Sequence, residues 1–479
     1  MTLVDREAFG GPHPARRRAR RAWRLVVAWL PLLGAIAAQP AWAQSPAPTS
    51  TPTPTPTPAD TDRPSQNAPN FDARFQATYI WQRKTAFAAA YSGPNSLSTD
   101  AEKSYTFSAT AYLGLRLAPG TELYVNPEVI QGVPLSNLQG LGSPTNGEIQ
   151  KVAGSNPKLY LPRLFVRQTW GLGGGSDSVD AAQNQLSGTR DKRRLVLTAG
   201  KFAVTDVFDA NAYSHDARSQ FMTWASLAQG PYDFVADSQG YTWGASLEYV
   251  HDDWALRVGR FVAAQESNGQ SLNFAIGRYH GDQIEVEHAH RIGGQPGVVR
   301  VLFWSNRESM GRFADAIDYA QRHGGVPDVA NVRAPHHKHG YGLHLEQALS
   351  DDVGAFVRYG WGDGQTETYS FEEVERSAQA GLSIKGASWG RGGDTVGLLA
   401  LRNGLSAIHQ RYLAQGGLGF FIGDGRLNYR PEQIVEAYYS YKLCPQAWLS
   451  ADYQHIVNPA YNADRGPVNV YGLRLHAEF

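Results

Sequence analysis

The chain closes on VNVYGLRLHAEF (468–479), and this stretch decides the fold. Counted back by twos, Phe479, Ala477, Leu475, Leu473 and Tyr471 form one stripe, and Glu478, His476, Arg474 and Gly472 form the other. Such a period of two, apolar on one side and polar on the other, is a half-exposed β-strand. The alternation runs to the final residue with no polar tail after it. A strand of this kind is expected to lie inside a sheet, paired on both edges.

The same texture starts at Phe71. In FDARFQATYIW (71–81), Phe71, Ala73, Phe75, Ala77, Tyr79 and Trp81 face away from Asp72, Arg74, Gln76, Thr78 and Ile80. SYTFSATAYLGLRL (104–117), YTWGASLEYV (241–250) and QIVEAYYSYKL (433–443) alternate likewise. Runs of about 10 residues exceed the soluble mode of about 5–6 and suit a tilted strand crossing a bilayer. The apolar stripes start or finish on Tyr, Trp or Phe, as a lipid face between two aromatic girdles would. The expectation is an all-β protein, a closed transmembrane antiparallel β-barrel. In a closed barrel the last strand pairs with the first, which places Phe479 at the membrane interface. Such an end is similar to the C-terminal aromatic signal that the barrel-assembly machinery reads in bacterial outer-membrane proteins.

Composition agrees. The 479 residues include 50 Gly, 23 Tyr and 12 Trp but one Cys, which suits strands joined by tight turns. The 44 basic and 44 acidic side chains balance, so charge gives no argument for a nucleic-acid partner. Cys444 cannot form an intrachain disulfide and reads as a half-buried small residue beside Pro445 near a turn.

Ahead of the barrel, RRRARR (16–21), LVVAWLPLLGAIAA (25–38) and Ala41-Trp42-Ala43 make a basic region, an apolar core and a cleavage site. The apolar run is shorter than the roughly 18–20 residues of a membrane helix. Residues 1–43 are therefore expected to be a cleaved signal peptide, of the ordinary export type despite Arg20-Arg21. Residues 44–70, opening QSPAPTSTPTPTPTPAD, lack apolar side chains and read as a disordered, extended Thr/Pro-rich spacer. Residues 71–479 are the barrel.

Connections differ in length. HDD (251–253) and LSDD (349–352) are tight, whereas 131–158, 171–192, 205–239, 308–338 and 403–430 are long. Short periplasmic turns opposite long external or inward-folded loops is the outer-membrane arrangement. About 17 strand-like segments can be marked; bacterial barrels have even numbers, leaving 16 or 18.

GGLGFFIGDGRLNYRPEQIVEAYYSYKL (416–443), LSADYQHIVNPAYNADRGPVNVYGLRLHAEF (449–479) and GKFAVTDVFDANAYSHDARSQFMTW (200–224) resemble the OprB family of carbohydrate-selective porins. RPEQIVEAYYS and NPAYNADRGP are long and irregular enough to be diagnostic. The resemblance covers the chain from about Phe71. It implies a 16-stranded outer-membrane barrel through which mono- or small oligosaccharides diffuse passively along a narrowed pore.

Such a channel is no enzyme and needs no cofactor. It needs hydrogen-bonding charges of both signs and aromatic surfaces at a constriction. The segment 200–224 offers Lys201, Asp206, Asp209, Asn211, His215, Asp216, Arg218 and Gln220, interleaved with Phe208, Tyr213, Phe221 and Trp224, and is expected to fold inward. Strand parity adds the inward charges Arg116, Glu122, Glu128, Arg194 and Glu248. It also adds Arg257, Arg300, Glu346, Arg358, Lys385, Glu436, Lys442 and Arg474, most of them expected to be plain solvated wall. PHHKHGYGLH (335–344) holds four His without a ligand pattern and reads as a surface loop entering a strand, so no metal is expected. WGDGQTE and IGDGRLNYRPE read as Gly-assisted turns.

Partners follow: sugars as permeants, outer-membrane lipid, and the assembly machinery through Phe479, with a homo-oligomer compatible. Alternatives are a general or anion-preferring porin, or a barrel hydrolase recruiting His288 or His290.

Overall fold

Where the sequence alternates, the chain is extended. The computed structural model describes residues 69–148 and 154–479. The expected signal peptide and all but the last two residues of the spacer lie outside the described residues. The first strands are β1 (Phe71–Lys84), β2 (Glu102–Ala118), β3 (Thr121–Val133), β4 (Lys158–Gly171), β5 (Ser176–Val179) and β6 (Gly188–Asp191). Next come β7 (Arg193–Phe202), β8 (Thr242–His251), β9 (Trp254–Val262), β10 (His280–Ile292), β11 (Gln295–Met310) and β12 (Ala334–Ala348). The last are β13 (Val353–Gly362), β14 (Arg376–Gly386), β15 (Arg391–Gly404), β16 (Glu432–Cys444), β17 (Ala447–Val457) and β18 (Val468–Glu478). Sixteen of them close into one antiparallel barrel, and β5 and β6 form a separate hairpin. This settles the choice between 16 and 18 strands.

The last strand pairs with the first, as expected. Gln76 lies opposite Glu478 and Trp81 opposite Leu473. The Phe75 amide donates to the Phe479 carbonyl (3.0 Å), and the Phe479 amide donates to the Phe75 carbonyl (2.8 Å). The final backbone groups are thus paired, as lipid requires. On β18 the outward stripe runs from Tyr471 to Phe479, about 26 Å at about 3.3 Å per residue, close to the height of an apolar barrel band. At one rim Tyr341 stacks on Trp361 (5.5 Å between centroids) and Tyr453 meets Tyr471 (5.3 Å), forming part of an aromatic girdle.

The short connections share one end of the barrel. Gly293-Gly294 joins β10 to β11 with φ of 60° and 84°, a pair of left-handed residues that a two-residue hairpin turn demands and glycine supplies. Counting strands places the connection 172–192 at this same turn end, a departure from the expected pattern of long loops opposite short turns. It holds the β5–β6 hairpin, paired from Ser176–Asp191 to Val179–Gly188. PHHKHGYGLH also differs from expectation, since β12 already begins at Ala334. Cys444, at the end of β16, is exposed rather than half-buried.

At the loop end, helix α1 (Phe313–His323) and helix α2 (Ala407–Ala414) sit in long connections. Loop residues fill much of the barrel. Phe208, Trp224, Tyr232 and Phe234 join inward Phe165, Phe202, Phe261 and Trp304 in one buried cluster. Phe221 packs between Phe356 and Tyr438 (6.0 and 5.0 Å) in a second. The aromatics Phe208, Phe221 and Trp224 are therefore packing residues that hold the loop, and do not face a permeant.

Candidate constriction site

The connection 203–241 folds into the lumen, where inward side chains of β10 to β18 hold its backbone. Glu285 accepts from the Asp209 amide (2.7 Å) and Glu346 from the Ala212 amide (2.7 Å). Arg358 donates to the carbonyls of Ser226 (2.7 Å) and Asp209 (3.2 Å). Glu436 accepts from the amides of Met222 (2.5 Å) and Thr223 (3.1 Å). Arg474 donates to the carbonyls of Ala217, Ser219 and Gln220 (2.6–3.0 Å). A second insert, described over 134–148, is held by Gln82 and Gln454, both donating to the Thr145 carbonyl (2.9 and 2.8 Å). Charged side chains satisfying buried backbone groups make strong, directional bonds. Glu346, Arg358, Glu436 and Arg474, expected as solvated wall, are therefore loop anchors.

Within the loop, Asp209 and Asn211 belong to this anchoring layer. Asp209 is 2% exposed, with Arg358 and His344 beside its carboxylate (3.8 and 3.5 Å). Asn211 bonds to His344 (2.8 Å) and caps the amides of Tyr213 and Ser214. His215 bonds to the Leu227 carbonyl (3.0 Å), and burial, then the neighbouring Arg358, push its pKa down, so it stays neutral. Asp216 accepts from the Arg218 amide and from Ser219 Oγ (both 3.0 Å).

Opposite the anchors, the loop meets β2 to β4 and leaves charged pairs and phenols together. Arg218 donates to Glu128 (2.7 Å) and Glu148 (2.7 Å), and to the hydroxyls of Thr110 (3.2 Å) and Tyr112 (3.3 Å). Burial alone would lower the Arg218 guanidinium, but Glu148 and Glu128 more than offset it and keep the group charged. Arg163 on β4 grips Asp206 with two bonds (2.7 and 2.6 Å) and lies 5.1 Å from the ring centre of Tyr241. Tyr241 in turn packs 5.8 Å from Tyr160, whose hydroxyl bonds to Asp237. Lys201 pairs in register with Leu164 and Trp243; its ammonium approaches Asp237 (3.4 Å) and the Tyr160 ring (4.3 Å).

The remaining expected residues line the turn half of the barrel. Glu248 starts a ladder of acids and arginines. Arg257 donates to Glu248 (2.5 Å), Glu285 (2.8 Å) and Glu287 (2.9 Å), and Arg300 donates to Glu287 (2.7 Å) and Glu346 (2.8 Å). The connection 172–192 dips into this half. Arg116 donates to the Ser187 carbonyl (2.8 Å), Arg167 to the Asn184 carbonyl (2.9 Å), and the Leu186 amide to the Tyr124 hydroxyl (3.2 Å). Leu186 is 3% exposed. Glu122 accepts from the same Tyr124 hydroxyl (2.6 Å) and sits 3.5 Å from Arg116. Arg194 donates to the Asp191 carbonyl (3.0 Å). Arg116, Glu122, Arg194 and Glu248 are thus grouped in the turn half, apart from Arg218, Asp206 and Lys201.

Sequence reading missed Tyr160, Arg163, Asp237 and Tyr241. At β4 a bulge opposite Asn126–Glu128 shifts the parity, so Tyr160 and Arg163 face the lumen out of step. Pro162, within that bulge, is the sequence signal. As for the hydrolase alternative, His288 stacks on Trp254 (4.2 Å) and His290 bonds to Gln347 (3.0 Å); the bonds of neither reach a Ser.

The profile of the family described as "Carbohydrate-selective porin, OprB family" matches residues 94–479. Among solved structures, the high-pH structure of Pseudomonas putida OprB superposes with a TM-score of 0.64 at 17% identity, covering 86% of this chain and 94% of that one. The low-pH structure of the same protein gives 0.45 at 14% identity, over 86% of this chain and 93% of that one. Pseudomonas aeruginosa OccK5 gives 0.43 at 9% identity, over 86% of this chain and 98% of that one. A sequence search among curated proteins returns no match.

Proposed function

We propose, from the premise that this chain belongs to the OprB family of carbohydrate-selective porins, that it selects sugars where the loop 203–241 meets β2 to β4. As a member of that family the protein is a sugar-selective channel of the outer membrane. The finer reading concerns how selection is made and what passes. Small neutral sugars, mono- or small oligosaccharides, move passively down their gradient.

One observation carries this reading: paired charges of opposite sign alternate with phenol rings around one side of the lumen. Arg163 with Asp206, both partly exposed, supply donors and acceptors for hydroxyls and Tyr160 offers a face for the CH side of a pyranose, over a buried layer of Arg218, Glu128, Tyr112 and Tyr241 that holds them in place. Because each cation has its acid beside it, the ring carries little net field and does not act mainly as an ion filter. Lys201 and Asp237 extend the same pattern. Arg116, Glu122, Arg194 and Glu248 line the exit half, where their role is to keep the wall wet.

Export by a cleaved signal peptide, delivery by the assembly machinery through Phe479 and a catalysis-free barrel complete the proposal. Reconstituting the mature protein in planar bilayers and titrating glucose and a disaccharide against the ion current tests it. Saturable block at millimolar sugar is the expected result. A current indifferent to both sugars would overturn selection at this ring, and a strong reversal potential in a salt gradient would favour the anion-preferring alternative.

A further inference from the structure

We infer that the loop end of the barrel carries a second sugar site, outside the constriction, shaped for a single neutral pyranose. This rests on the channel's taking sugars, but on different residues. A cavity of about 150 Å³ lies among the connections 263–279, 311–333, 363–375 and 405–431; its lining includes Phe313, Asp328, Arg333, Glu367, Thr368 and Phe420. At about 30 Å³ of liquid per water, the cavity has room for about five. That is room for one sugar ring and too little for a chain of them.

The lining divides into a polar edge and an apolar face. Arg333 meets Glu367 through two bonds (2.8 and 2.7 Å), a fork that leaves its second terminal nitrogen, Nη1, without a hydrogen-bond partner among the described residues. The Thr368 hydroxyl is buried, at 3% exposure of the residue, and meets no partner among the described residues. A buried hydroxyl without a bond is uncommon and is satisfied by a guest or by water. At the mouth Phe420 is 45% exposed, a large ring offered to solvent beside charged groups. Hydroxyls along one edge and CH groups on one face are what a pyranose presents to such a pair of surfaces. Arg333 and Glu367 cancel, while Asp328 and Glu373 leave the lining acidic, so an anionic sugar is disfavoured beside a neutral one.

The site is also built stiffly. Phe313 stacks between His409 (4.1 Å) and Tyr412 (4.9 Å) of α2. The Gly311 amide donates to Glu367 (2.7 Å), and Ser267 Oγ donates to the Thr368 carbonyl (2.7 Å). Groups held in place before binding lose little freedom when a ligand arrives. A sugar captured here is concentrated at the entrance to the lumen.

Saturation-transfer NMR of D-glucose on the detergent-solubilised full barrel, beside glucose block of current in bilayers, separates the two sites. Phe420→Ala is expected to cut the low-concentration transfer signal severalfold and leave the current block unchanged. Thr368→Val, nearly isosteric, is expected to weaken it less. A transfer signal unaltered in both variants would overturn the site, as would a wild type without any signal. A signal lost in Phe420→Ala while the wild-type current shows no block would support this site and count against the constriction instead.

Discussion

Two walls of the same lumen treat their charges differently. From β10 to β18, Glu285, Glu346, Arg358, Glu436 and Arg474 each bond to loop backbone between 209 and 226, and Glu285 and Glu346 also to the wall arginines Arg257 and Arg300. From β2 to β4, Glu128 and Arg163 end on side chains, Arg218 and Asp206, and phenols stand beside them. Both walls look alike in sequence, since both place a charge at every few inward positions. The difference is what the loop presents to each wall: mostly backbone groups to one, the side chains of Asp206 and Arg218 to the other.

The hardest blow to this contrast is Arg358→Ala. It strips the Ser226 and Asp209 carbonyls of a donor and leaves the Asp209 carboxylate without its nearest guanidinium. Removing one partner of a buried pair costs about 3–5 kcal/mol. The expected outcome is a released loop: larger single-channel conductance and a lower heat-modification midpoint on gels. Conductance equal to wild type would mean that the wall does not hold the loop.

Next in size is replacement of 181–187 by a short Gly-Ser link. It removes Leu186 and the carbonyls that Arg116 and Arg167 reach. Conductance should rise, by less than in Arg358→Ala, with sugar block retained. Loss of block would move the selective ring to the turn half.

On the β2 to β4 side, Tyr241→Ala removes a buried ring that packs on Tyr160 and Arg163. Sugar block should weaken about fivefold to tenfold, or about 1–1.4 kcal/mol, while ion conductance changes little. The smallest effect is expected of Glu122→Gln, which keeps an acceptor for the Tyr124 hydroxyl in the turn half. Block and thermal midpoint should stay within about 0.5 kcal/mol of wild type; a large loss of block would extend the selective surface toward the exit.

Much of this was legible from alternation. Gln76, Thr110, Glu248 and Glu436 face inward as their parity requires, because lipid on one side and water or packed loop on the other enforce a period of two. Legibility failed at the β4 bulge, where an extra residue near Pro162 breaks the count and hides Tyr160 and Arg163. It failed again for Asp237 and Tyr241, which reach the site through a long connection rather than a pattern. The hairpin in 172–192 was assigned to the wrong end because length does not say from which rim a connection leaves. Only the strand count does, and an odd count leaves the rim undecided.

That hairpin's connection has one more contact. The Gln183 amide bonds to Gln76 of the first strand (3.1 Å) and to Glu478 of the last (3.3 Å). These two strands stand farthest apart in the chain, and they become neighbours only once the sheet has closed. Only in the closed sheet can the amide hold both strands at once. It works as a clasp laid across the seam.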